Sequence, residues 1–158
     1  MIVIAIVGTL AGIAVPILGT YLDRVKVTRA KIEIRTYEKE ILTFYFDNDR
    51  YPVTLSEIGL GGVEDPYGNP YQYMPAPIAK KDLPKGGKGN KGGNAGTNNA
   101  GGADLMRKDH NLVPVNTDYD LYSMGKDGKT KAPFTAEVSQ DDIVRANNGQ
   151  FIGLVSAY

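Results

Sequence analysis

From its start to Leu22 the chain carries no Asp, Glu, Lys, Arg or His, and its first charge is Asp23. Beyond that point charged residues alternate with apolar ones, and Val27, Ala30, Ile34, Tyr37, Ile41 and Phe44 recur at steps of three and four. Such spacing draws one apolar stripe along a helix. No Gly or Pro interrupts residues 20–51, so the pattern predicts one continuous helix of about 45 residues, apolar all round in its first half and amphipathic in its second. The stripe is expected to lie against a globular head. Opposite it, Arg29 with Glu33 and Arg35 with Glu38 sit four and three apart, pairings that support an exposed helical face.

At about 1.5 Å per residue the uncharged stretch, residues 1–22, is roughly 33 Å long and matches a hydrocarbon core of about 30 Å. A secretory signal peptide would show a basic leader and a cleavage site, and a buried core helix would keep a polar stripe. Neither description fits. Gly8, Ala11, Gly12 and Ala14 permit close approach of neighbouring helices. Pro16 removes a backbone donor and is expected to kink or locally melt the helix.

The helix is expected to stop near "FDNDRYP", where Asp47, Asn48 and Asp49 favour turns and Pro52 forces its predecessor out of helical geometry. "TLSEIGLGG" predicts one short helical turn that breaks at Gly61 and Gly62. "DPYGNPYQY" reads as a turn leading into a strand, with Tyr71 and Tyr73 alternating as a half-buried strand requires. "DYDLYSMGKDGK" reads as an alternating strand ended by the hairpin signal Asp127-Gly128, and "QFIGLVSAY" as a last strand or a surface that meets another subunit. Between them, residues 85–102 contain no large apolar side chain, which marks an exposed insertion. The fold class is therefore α+β. A long N-terminal helix, with segments at residues 1–22 and 23–50, packs on a small antiparallel β head at residues 51–158.

Charge and cysteine usage narrow the functions. Lys plus Arg and Asp plus Glu both number 18, and Cys is absent, so no global field draws nucleic acid and no thiol chemistry is available. A small exported head without disulfides needs another staple, such as a metal, a long docked helix or oligomerisation. "GKGNKG", Gly87 to Gly92, matches a dinucleotide-loop pattern without the strand and helix that give it meaning. His110, the only histidine, has no plausible nucleophile held beside it, so no enzymatic activity is expected. Lys80, Lys81, Lys85, Lys88 and Lys91 lack interleaved aromatics and read as a solvated loop. Asp118, Asp120, Asp127, Asp141 and Asp142 supply oxygen ligands of the kind a hard cation takes, though without EF-hand spacing. The alternative is that Asp127-Gly128 is only a turn and Asp141-Asp142 only a cap or a solvated pair.

The opening "MIVIAIVGTLAGIAVP" resembles the N-terminal segment of type IV pilins and of the pseudopilins of type II secretion. In order along the chain, "RYPVTLSEIG", "DPYGNPYQY" and "YDLYSMGKDGK" resemble stretches of the type II secretion major pseudopilin, while "KTKAPFTAEVSQ" replaces that family's glycine-rich link. The resemblance implies a pilin-like fold and a subunit that polymerises into a helical filament driving protein export. Ile2, Ile6, Leu10, Ile13, Pro16 and Leu18 would line the filament core. It also implies a Ca2+ ion held by Asp127, Asp142, the Met124 carbonyl and Asp141 as an additional ligand. The partners implied are further copies of the chain, an inner-membrane assembly machinery and minor pseudopilins, and the membrane itself before assembly. The location is the bacterial inner membrane, then a periplasmic or extracellular filament. The family's leader, methylated first residue and acidic residue fall on no residue of this sequence. Two other readings are a true surface pilus for adhesion or motility, and a monomeric membrane-anchored module that binds ligands through calcium.

Overall fold

The computed structural model of the chain describes residues 2–76 and 106–158, with the side chains of Ala5, Leu10, Ala11 and residues 13–17 outside that set. The lysine run, the Gly87–Gly92 pattern and the insertion at 85–102 also fall outside it. Helix α1 runs unbroken from Ile2 to Asn48, 47 residues. It continues as helix through Pro16 rather than melting there, although proline removes one ladder bond and crowds the carbonyl four residues back. Termination follows the turn residues: the Asp49 amide reaches back to the Tyr45 carbonyl at 2.8 Å, and Asp49 takes φ 52°, a left-handed stop that Asp tolerates. Among the described residues no helix is long and apolar enough to cross a membrane.

After Pro52 a 3-10 turn covers Leu55–Ile58 and is closed by Gly59 at φ 73°, earlier than the Gly61-Gly62 break expected. The sheet comprises β1 (Gln72–Pro75), β2 (Tyr119–Ser123), β3 (Ile143–Ala146) and β4 (Phe151–Leu154), antiparallel throughout in the order β1-β2-β3-β4. The fold is thus α+β. Asp127-Gly128 does not close a tight hairpin: β2 pairs with β3, which begins only at Ile143. The intervening residues fold back over the sheet instead. The tight connection is Asn147-Asn148-Gly149 between β3 and β4, with φ of 53°, 54° and 89°.

Both faces of the sheet are covered, which is why β2 shows no exposed alternate positions. On one face Tyr119, Leu121 and Ile143 pack with Ala30, Ile34, Tyr37 and Ile41 of α1 and with Leu55 and Tyr71. On the other, Val144 and Ala146 pack under Val115, Phe134 and Val155. Segments 106–117 and 129–136 form this second cover, stitched where Lys108 bridges both Pro114 and Pro133. The order is helix, sheet, loop layer.

Each face holds one buried arginine. Arg145 on β3 faces α1, donating to Glu38 Oε1 at 3.0 Å, to both Asp118 oxygens at 2.8 and 2.7 Å and to the Tyr119 carbonyl at 3.1 Å. Burial opposes its charge, but the Asp118 and Glu38 contacts outweigh that and hold it firmly protonated. Arg107, in the loop layer, belongs to the site described next.

Candidate functional site

Two surfaces carry chemistry beyond packing. The first is α1 itself. At 3.6 residues per turn, positions 21, 25, 28 and 32 lie about 180° from the core-facing positions 30, 34, 37 and 41. Tyr21, Val25 and Ile32 are accordingly exposed at 63%, 46% and 62%. They line a shallow cleft of about 510 Å3 together with Arg24, Thr28, Arg29 and Glu33. Farther towards the start, Ile2, Ile6 and Leu18 are exposed at 77%, 53% and 57%; the side chains of Leu10, Ile13 and Pro16 lie outside the described residues. So α1 has apolar surface on two opposite sides, of which the head covers one.

This second stripe was masked in the sequence by its ion pairs. Arg29–Glu33 at 2.7 Å and Arg35–Glu38 at 2.9 Å both form, but they flank the stripe rather than replace it. Glu33 also accepts the Tyr71 hydroxyl at 2.7 Å, and Arg35 donates to the Gly149 carbonyl at 2.9 Å. The charged residues of this half therefore serve partly to tie α1 to the head. Among the described residues, the exposed apolar side chains have no such role.

The second surface is the carboxylate loop after β2. Asp65 receives the Tyr67 and Asn69 amides on Oδ1, both at 2.9 Å, and the Ser123 hydroxyl on Oδ2 at 2.5 Å. Asn69 in turn donates to the Gly125 carbonyl at 2.9 Å. These contacts press residues 65–69 of "DPYGNPYQY" onto the turn at 123–125. Gly125, at φ 64°, lies so close that a Cβ there would collide with the backbone of Asp141. Only glycine allows that approach.

Across this turn the four residues named as calcium donors are divided. Asp141, half-buried, accepts the Lys126 and Asp127 amides on Oδ2 at 2.8 and 3.0 Å. Asp127 is exposed and accepts the Lys129 amide at 2.8 Å, a short turn of the kind Asp builds for itself. Asp142 is fully buried and points into the loop layer, where its Oδ2 receives Arg107 Nη2 at 2.7 Å and the Thr130 hydroxyl at 2.6 Å. Met124 is half-buried in the turn after β2. Burial pushes the Asp142 carboxyl up to about 6, against the pull of Arg107. Among the described residues no group of three or more His, Cys, Asp or Glu is placed to hold a metal ion. Asp142 is turned towards the Arg107 guanidinium, while Asp141 and Asp127 each give one oxygen to backbone amides.

Asp118 and Asp120 are separated by the sheet. Asp118 serves Arg145, whereas Asp120 is buried with the loop layer, accepting the Arg107 amide at 2.5 Å and the Asn116 side chain at 2.8 Å. Burial raises the Asp120 carboxyl, while those donors oppose the rise. His110 is exposed and stacks on Tyr158 at 6.3 Å between centroids. Comparison with protein-family models, with curated proteins and with solved structures finds no match to this chain.

Proposed function

We propose that the chain is a structural subunit that polymerises into a helical filament of the type IV pilus kind, in the manner of a type II secretion major pseudopilin. One observation carries the reading: among the described residues α1 is docked on the head along one side, and on the other Tyr21, Val25 and Ile32, with Ile2, Ile6 and Leu18 before them, are exposed. An apolar surface that long, on a rod continuous with a globular head, calls for an occupant. Further copies of the same rod fit it, because each copy offers the same stripe displaced along the axis, and heterologous contacts that do not close generate a fibre.

Residues 1–22 would reside in the inner membrane before assembly and exchange lipid for neighbouring helices afterwards, where small residues permit close packing. Ile2, Ile6, Leu10, Ile13, Pro16 and Leu18 would then be filament-core positions. The head would form the outer surface. The three turn and strand motifs resembling the secretion family support export rather than adhesion; deletion of the chain should abolish export of folded enzymes and leave surface adhesion intact.

Assembly is tested by sedimentation of the full chain as detergent is diluted below micelle concentration. The wild type is expected to give species that grow with protein concentration, whereas Val25→Lys with Ile32→Lys holds them small while the head's near-ultraviolet tyrosine signal is retained. A wild-type chain that stays monomeric across concentration would favour the anchored binding module instead.

A further inference from the structure

We propose that the Arg107 guanidinium takes the place of a divalent cation in this head, so that the clamp between the loop layer and β3 is built from the chain itself and holds without a metal ion. The carboxylate at its centre, Asp142, has no exposed surface, and one of its oxygens already receives both Arg107 and the Thr130 hydroxyl. Arg107 Nη1 also meets the Thr130 hydroxyl, so three segments converge on one guanidinium.

The position of that guanidinium is fixed from several directions. Its Cζ lies 4.5 Å from the Tyr122 ring centroid and 5.2 Å from that of Phe134, contacts that favour a desolvated cation. Its own amide is held by Asp120, and its carbonyl accepts the Val115 amide at 2.9 Å. Arg107 is 3% exposed. A calcium ion arriving here would meet a fixed positive charge in a low-dielectric setting, where repulsion is far stronger than in water. It would also need six to eight oxygens. Among the described residues Asp142 Oδ1 is the one buried carboxylate oxygen left without a partner, and Asp141 Oδ2 and Asp127 Oδ1 already serve backbone amides.

Thermal unfolding of the full chain in detergent, followed by circular dichroism, tests this. The wild-type Tm in excess EDTA and in excess calcium is expected to agree within about 1 °C, since a ligand that does not bind the folded state cannot shift its midpoint. Arg107→Gln, which strands Asp142 without a counter-charge, is expected to lower Tm by about 10 °C or more, and Arg107→Lys, which keeps the charge but loses the fork, by less. A wild-type Tm that falls in EDTA and recovers with calcium would overturn the proposal without recourse to any variant. So would an Arg107→Gln chain that melts with the wild type.

Discussion

The two covers of the sheet solve one problem with different surpluses. Each places a 3%-exposed arginine over a tyrosine ring, Arg145 at 4.0 Å from Tyr119 and Arg107 at 4.5 Å from Tyr122. On the helix side the guanidinium meets two carboxylates, one bidentate, and no atom of Arg145 is left without a partner. On the loop side one carboxylate answers one guanidinium, and both Arg107 Nε and Asp142 Oδ1 are buried without partners. Arg145 joins the sheet to α1, while Arg107 gathers the irregular segments of the loop layer.

That contrast orders the expected losses. Arg145→Met leaves Asp118 without its cation and Glu38 with Arg35 alone, and should cost about 3–5 kcal/mol in urea unfolding of the full chain in detergent. Its signature is loss of protection from amide exchange along residues 30–41 of α1. Arg107→Met should cost less, about 3 kcal/mol, with protection lost in 106–117 and 129–136 and kept in α1. Losses of protection that spread to both covers would break the comparison.

Smaller effects sharpen it. Gly125→Ala forces a side chain into a left-handed conformation and against Asp141, for a cost of about 2 kcal/mol and a loosened carboxylate loop, read by the same unfolding assay. Lys126 and Asp23 pair at 2.8 Å but are 67% and 42% exposed. Lys126→Met should therefore change stability by less than about 0.5 kcal/mol, even though this contact also links α1 to the head.

What could be read in advance was whatever obeys a period. The Val27 to Phe44 stripe predicts a helix face, and Ala30, Ile34, Tyr37 and Ile41 are all buried in the core. The stop at Asp49 and the strand after "DPYGNP" also follow from local chemistry. The opposite stripe is hidden in the sequence because charged residues flank it on both sides along the helix. Arg145 left a signal, an arginine at an inward position of "IVRA", since such a residue demands a buried acid. Asn147-Asn148-Gly149, a run of residues that tolerate positive φ, is likewise a signal by which the β3–β4 turn could have been found. Arg107 left none: it follows an aperiodic stretch, and its acid partner lies 35 positions later. The hairpin reading of Asp127-Gly128 failed because a turn signal fixes where a strand ends but not which strand it next pairs with.

The central claim is that the uncovered side of α1 is filled by copies of the same chain. Negative-stain electron microscopy of the purified full chain after detergent removal tests it most directly. Unbranched fibres of uniform width from the wild type, absent from Val25→Lys with Ile32→Lys despite a folded head, are the expected result. Single dispersed particles from the wild type, or identical fibres from the doubly substituted chain, would contradict it.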